Sequence, residues 1–287
     1  MRITEIDDNN ERFFDAVIGE RYGKRKGTET FLGLVDDEDL AVGAAVVEAD
    51  GADLMLSYIG IAENRQRQGL GSFFIKSIIE SIDDNLYDGL QVILFLKNGE
   101  EKGPVPQFLI KNGFSCRKID GRRTVYDLNA VIKGKDLTAD RQYDKGKIVE
   151  PGAVTEKLKK KLRETEEGLE MNAGAYFSAD RIVSKDNEFG GIYVKGEEIM
   201  AALCAVPFAD GVRVESIYAA QDGSDGLYEL IEHAKARVSK SGVFSGNLYI
   251  DTIGSVLMRF EDAKMGYMGV KPVEAFEAFV FERGKNE

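Results

Sequence analysis

The chain has 287 residues, more than one compact domain of roughly 100 to 200 residues, so two domains are expected. With 43% hydrophobic and 31% charged residues it is too apolar for wholesale disorder, and its formal net charge of -12 sets an average field that repels nucleic acid and anionic membranes. Neither is an expected partner. The first residues form no secretory apolar segment and the longest apolar run, 199–206, is too short to span a bilayer, so the chain reads as cytoplasmic.

The first half opens with a strand over 2–6, and Asp8, Asn9 and Asn10 offer caps for an amphipathic helix bearing Phe13, Phe14, Val17 and Ile18. Strand patterns follow at 30–35, 40–48 and 54–61, with Asp36-Asp37-Glu38-Asp39 and Asp50-Gly51 as turns, which predicts an antiparallel meander. A helix over 71–82 carries Phe73, Phe74, Ile78 and Ile79 at helical spacing, and 90–96 is a nearly unbroken apolar run of the kind found in buried strands. A short helix over 105–111 ends at Asn112-Gly113, a C-cap signal. Around Asp120-Gly121, residues 116–119 and 124–128 read as a hairpin.

Residues 133–147 are polar, with Asp136, Asp140, Arg141 and Asp144, and read as a linker. The second half then repeats the order of elements: a helix over 155–170, strands at 191–194, 199–206 and 212–219, a helix over 227–238, a strand at 248–253, a helix over 255–265 and a last strand at 275–282. Three segments correspond directly. Leu40-Ala41-Val42-Gly43-Ala44-Ala45-Val46 matches Ile199-Met200-Ala201-Ala202-Leu203-Cys204-Ala205, Ser57-Tyr58-Ile59-Gly60-Ile61 matches Glu215-Ser216-Ile217-Tyr218-Ala219, and Lys111-Asn112-Gly113-Phe114 matches Lys264-Met265-Gly266-Tyr267. A diverged tandem duplication follows, with domains at 1–135 and 136–287.

Between the strand ending at Ile61 and the next helix lies Gln66-Arg67-Gln68-Gly69-Leu70-Gly71-Ser72. Glycines let a backbone approach a ligand closely, and the first amides of a helix have no internal acceptor, so this segment has the outline of an anion cradle. Arg65 and Arg67 add local positive charge. A meander, this Gln-x-x-Gly-x-Gly loop, a helix, a buried strand and a short helix ending Lys111-Asn112-Gly113-Phe114 resemble the GNAT acyltransferase superfamily over nearly all of residues 1–130. A dinucleotide fold differs, because its glycine loop follows the first strand of a parallel unit.

The resemblance implies an α/β fold of the α+β type: two tandem GNAT-like domains, each a mixed, mostly antiparallel central sheet flanked by helices, the second copy degenerate. It implies that the amides of Gln66, Arg67, Gln68, Gly69, Leu70, Gly71 and Ser72 bind the pyrophosphate of coenzyme A, and that the backbone at Ile59, Gly60 and Ile61 pairs with the pantetheine arm. Acetyl-CoA, or another acyl-CoA, would be the co-substrate, a small-molecule or peptide amine the acceptor, and no metal would be needed. Direct transfer to an amine requires deprotonation of the attacking ammonium and often protonation of the leaving thiolate. The Tyr that often serves as acid falls at Leu109, the Glu that often serves as base falls at about Ser57, and the segment Gly103-Pro104-Val105-Pro106 lacks the customary Asn. Ser57, Tyr58 and Glu63 are therefore the catalytic candidates, acting with relayed water. The alternative is a catalytically inactive coenzyme A binding or protein-interaction module.

In the second half, Gln221-Asp222-Gly223-Ser224-Asp225-Gly226 keeps two glycines, but Asp222 and Asp225 would repel a pyrophosphate. Glu215 stands at the place of the family base and reads as a half-exposed strand carboxylate, and the whole half as a partner that shapes the acceptor pocket. His233, the only histidine, reads as a surface or boundary side chain, Cys116 and Cys204 as free thiols, and the charges of 157–167 as a solvated helix face.

Overall fold

The computed structural model describes all residues except 20–28, 51, 84, 140–145, 170–176, 209, 243–245 and 285–287. The chain forms two compact units, one of Met1–Ile119 with Ala278–Glu287 and the other of Asp120–Glu277. Part of the expected 133–147 linker lies outside the described residues.

The first unit contains β1 (Arg2–Glu5), α1 (Asp15–Ile18), β2 (Glu29–Val35), β3 (Ala41–Asp50), β4 (Asp53–Ile61), α2 (Leu70–Glu80), β5 (Gly89–Leu96) and α3 (Pro104–Lys111). It also holds the first residues of β6 (Ser115–Asp127) and the last of β12 (Pro272–Gly284). Its strands lie in the order β1-β2-β3-β4-β5-β12-β6. The pairs from β1 to β4 are antiparallel, as the meander pattern predicts, and β4 pairs with β5 in parallel. On α2, Leu70, Phe74, Ile75, Ile78 and Ile79 recur at helical spacing and pack on one face of the sheet with Leu109 of α3. The other face is covered by Phe14, Val17 and Ile18. Phe13, expected on that apolar face, is 72% exposed. It sits in a 3-10 turn, Glu11–Phe14, whose tighter winding places it on a different side from a regular α-helix.

The second unit contains the remainder of β6, then α4 (Leu128–Lys133), β7 (Lys147–Val149), α5 (Glu156–Glu167), α6 (Ala179–Val183), β8 (Gly191–Lys195), β9 (Glu198–Phe208), β10 (Gly211–Ala219), α7 (Ser224–Ser241), β11 (Asn247–Ile253), α8 (Ser255–Met268) and the start of β12. Its strand order is β6-β11-β10-β9-β8-β7, with β10 and β11 parallel and the other pairs antiparallel. Buried Asn187 fastens the edge of β9. Its amide donates to the carbonyls of Ile182 at 2.9 Å and Leu203 at 3.1 Å, and its oxygen accepts from the amides of Gly190 and Ala205, each at 3.0 Å.

The hairpin expected around Asp120-Gly121 is absent: β6 runs straight through both residues. A distant partner explains this, since residues from Gly121 to Asp127 form a continuous antiparallel ladder with Ile253 to Asn247. Arg123 and Asp251, opposite each other in that ladder, make a two-pronged ion pair at 2.6 and 2.7 Å. Seven paired positions outweigh the local turn preference of one Asp-Gly dipeptide.

Candidate functional site

Strand β4 is laddered to β3 from Asp53 to Ile61, but to β5 only through Asp53↔Gly89, Leu54↔Leu90 and Met55↔Gln91. From Leu56 onward, the edge of β4 that faces β5 has no ladder partner among the described residues. The divergence starts beside a bulge at Ser57, where Val47 pairs with Leu56 but Val46 pairs with Tyr58. A bulge bends its strand and sharpens the local twist, which parts two neighbours that began in register.

The open edge leads into the connection from Ala62 to Gly69. A 3-10 turn, Glu63–Arg65, comes first, and Gln66 turns back to donate its side-chain amide to the Ile61 carbonyl at 3.1 Å. Arg67 and Gly69 then adopt left-handed backbone conformations, with φ of 61° and 81°. Helix α2 starts at Leu70 with no side chain capping it, and its first internal bond runs from the Phe73 amide to the Gly69 carbonyl at 3.0 Å. The amides of Leu70, Gly71 and Ser72 therefore have no acceptor within the helix. Amides gathered around left-handed residues at a helix N-terminus make a concavity with partial positive charge, suited to an anion. Space is available, because a Cβ built on Gly69 would meet no atom within 4 Å. Gly71 serves packing instead: a Cβ there would sit 3.2 Å from the Phe108 ring of α3.

The two arginines expected to supply charge have separate fates. Arg67 is exposed beside the loop, whereas Arg65 donates to the Asp36 carboxylate at 2.9 Å. Asp36 is buried and also accepts the amides of Leu40 and Glu38, each at 3.0 Å. The Leu40 amide, with that of Glu38 and the Arg65 guanidinium, holds its carboxyl below the usual value of 3.8 although burial acts the other way. The sequence reading missed this anchor; an Asp opening a turn, whose side chain bonds amides a few residues on, was the available signal.

Of the catalytic candidates, Tyr58 donates its hydroxyl to the Val17 carbonyl and packs with the core under α1. Ser57, at the bulge, donates to the Val46 carbonyl at 3.4 Å. Glu63 lies exposed on the 3-10 turn. Ile59 and Ile61 pack against the opposite core, under α2, with Leu109 deeply buried in it. The structure thus brings Ile59, Gly60, Ile61 and the 66–72 loop to one end of the parted strands, with Glu63 on the turn between them.

The second unit repeats this strand geometry without the loop. Strands β10 and β11 pair only through Val212↔Leu248, Arg213↔Tyr249 and Val214↔Ile250, and β10 carries a bulge at Glu215, where Val214 pairs with Ala205 but Ser216 pairs with Cys204. The two bulges set the true correspondence of the halves: Val46, opposite Tyr58, matches Cys204, opposite Ser216, one residue away from the match read in sequence. Glu215 is not half-exposed as expected; its side chain is 3% exposed and paired with Arg213. The connection to α7, Ala220 to Gly223, is four residues shorter than that from Ala62 to Gly69. Gly223 has φ of -92°, and a Cβ on it would collide with the Met200 carbonyl, while one on Gly226 would run into the Tyr193 ring. Among the described residues, no group of three or more His, Cys, Asp or Glu is placed to hold a metal, and no helix is long and apolar enough to cross a membrane.

No protein-family model and no curated protein matches the chain. Solved structures do. The chain is similar, at 11% identity and a TM-score of 0.62, to a tandem GNAT protein from the clavulanic acid biosynthesis pathway, covering 98% of each chain. It is similar at 11% identity and a TM-score of 0.60 to a fungal multi-domain β-N-acetylglucosaminidase with a GCN5-related glucosamine N-acetyltransferase region, covering 98% of this chain and 38% of that one. A GCN5-related N-acetyltransferase from Anabaena variabilis aligns at 10% identity and a TM-score of 0.57, over 97% of this chain and 72% of its own. The fold is that of tandem GNAT proteins.

Proposed function

We propose that this tandem GNAT fold binds an acyl-CoA, acetyl-CoA first among them, in its first unit and transfers the acyl group directly to a small-molecule or peptide amine. In sequence, residues 1–135 form the cofactor-binding copy and 136–287 the degenerate one. The observation that carries the reading is the open, uncapped start of α2, with Arg67 and Gly69 left-handed, at the end of a strand already parted from its neighbour. A pyrophosphate fits this donor set. The amides of Leu70, Gly71 and Ser72 would hold it, Arg67 would neutralise it, and the free edge of β4 near Ile59, Gly60 and Ile61 would take the polar groups of a pantetheine arm. Gln66 and Gln68 brace the loop, bonding to the carbonyls of Ile61 at 3.1 Å and Asn64 at 3.4 Å.

When bound, the thioester supplies an activated acyl carbon; the residues of this chain position it and manage protons. Glu63 carries an exposed carboxylate beside the loop and takes the proton of the attacking ammonium through water, and the second proton shed by the nitrogen as the amide forms would pass through water to the departing thiolate, which leaves as the thiol. Ser57 and Tyr58, whose hydroxyls point to the carbonyls of Val46 and Val17, shape the strand that faces the acceptor. One observation favours the rival, inactive reading: Leu109, at the customary place of the acid, is a 2% exposed core residue.

Calorimetric titration with acetyl-CoA tests binding. The chain should bind it at one site, and Gly69→Asp should weaken binding at least about tenfold, because Asp tolerates the left-handed backbone but sets a negative charge among the amides. Unchanged affinity in Gly69→Asp would remove the loop from the site. Binding without acyl transfer across a panel of amines would support the inactive module.

A further inference from the structure

The second unit contains an apolar cavity that the acyl-transfer reading does not use. It has a volume of about 110 Å³ and lies where β10 and β11 part, covered by α4, α7 and α8. Val131, Val214, Ile231, Val238, Ile250 and Phe260 are among its lining side chains, and the surface it presents is almost wholly apolar. Five charged residues, Glu215, Lys235, Asp251, Glu261 and Lys264, are among those that line it, and their partners decide what it can hold. Glu215 is paired with Arg213, and Asp251 with Arg123. Glu261 accepts from the Tyr126 hydroxyl at 2.6 Å and from Thr252 at 3.2 Å, and is paired with Arg122. Lys235 is bound to Glu232 at 2.9 Å and to the Gly134 carbonyl at 3.2 Å.

Lys264 differs from the rest. It is partly exposed, and its ammonium lies 4.4 Å from the centroid of the Tyr228 ring and 5.4 Å from that of Phe260, the two rings stacked at 6.3 Å. Among the described residues no carboxylate lies within ion-pairing distance of it. Ring faces attract a cation without cancelling its charge. Of the charged residues lining the cavity, three acids and Lys235 are paired, and Lys264 has no carboxylate partner among the described residues.

We propose that this cavity binds a small monocarboxylate, its apolar body among Val214, Ile250 and Phe260 and its carboxylate on Lys264. A void of about 150 Å³ lined by Leu, Ile and Phe admits benzene, and this cavity, at about 110 Å³, is smaller, so the body is at most an aromatic ring or a branched chain of about five carbons. A cationic or neutral ligand of equal size gains nothing from Lys264, and a dianion would bring a second charge into apolar surroundings at high cost. The site is independent of the loop in the first unit and stands or falls separately from coenzyme A binding.

The test is calorimetric titration of the full chain with benzoate, benzyl alcohol and benzylamine, the last two matching its body without its charge. Benzoate should bind at one site, at least about tenfold tighter than either analogue. Lys264→Met, which keeps an apolar stem over the rings, should erase that preference, and Ala234→Phe, which fills the cavity from α7, should abolish benzoate binding with near-ultraviolet circular dichroism unchanged. Failure of benzoate to bind the folded chain would overturn the proposal, as would equal affinity for benzylamine or unchanged affinity in Lys264→Met. Displacement of benzoate by coenzyme A in the Gly69→Asp background would overturn it too, assigning the cavity to a cofactor arm.

Discussion

Before α2, Gly69 takes a left-handed backbone with no atom near a Cβ position, and the amides just beyond it have no acceptor within the helix; before α7, Gly223 takes φ of -92° against the Met200 carbonyl. Both connections follow a strand that bulges and parts from its parallel neighbour, and both precede an amphipathic helix. Their lengths separate them. The eight residues from Ala62 to Gly69 have room for a 3-10 turn and two left-handed residues, whereas the four from Ala220 to Gly223 run directly into the helix with glycine as the only residue that fits. A glycine before a helix can thus mean a ligand's space or a neighbour's backbone, and the distinction lies in what surrounds it.

The sharpest way to break this comparison is alanine at each position. Gly223→Ala should destabilise the second unit by more than about 3 kcal/mol, since the new methyl meets backbone rather than a movable side chain. Gly69→Ala should cost only about 1 kcal/mol, the strain of a left-handed non-glycine residue. Urea unfolding reads both, and a larger loss at Gly69 would reverse the assignment of the two glycines.

The bulges offer a second contrast. Glu215→Ala leaves Arg213 without its buried acid and should cost about 1 to 3 kcal/mol, while Ser57→Ala, which loses among its contacts a long hydroxyl bond to the Val46 carbonyl, should cost less in the same assay. Equal costs would show that Glu215 does not fasten the second strand.

The smallest effects sharpen the reading of the loop itself. Arg67→Ala should weaken acetyl-CoA binding a few-fold, about 0.5 to 1 kcal/mol for one exposed charge, and should flatten its salt dependence. Arg65→Met should leave that salt dependence as it is and act on acid stability. The Asp36 carboxyl is held below its usual 3.8, so its contribution is present above that pH and fades as pH falls through the lower folded value. Without Arg65 the folded value moves up toward the usual one, and acid unfolding should begin at a higher pH. An acid midpoint unmoved in Arg65→Met would mean that the Leu40 and Glu38 amides alone hold Asp36.

Much of this was legible in the chain before it was folded. The meander, the helix with Phe74, Ile78 and Ile79, the buried strand at Gly89–Leu96 and the doubled order of elements all rest on patterns a few residues long. The Gln66 to Ser72 loop was equally legible, since its glycines and following helix stand together. The Asp120-Gly121 hairpin was misread for the reason that makes local reading work elsewhere: a turn signal was weighed without the ladder that Asn247–Ile253 provides. Arg65 was misread likewise, because its partner Asp36 lies on a different turn.

Local sequence determined which segments are strands and helices, which faces are apolar, and that glycines stand in the loop before α2, since these depend on residues within a turn or two of one another. Tertiary structure alone decided that β6 continues where a turn was signalled, that Ser57 and Glu215 are the bulge residues, that Arg65 is tied to Asp36 while Arg67 is exposed and Lys264 lies over two rings, and that a cavity opens between β10 and β11. Each of these is a choice of partner among segments far apart in the chain, and the free energy that settles it comes from ladders, ion pairs and burial that exist only once those segments meet.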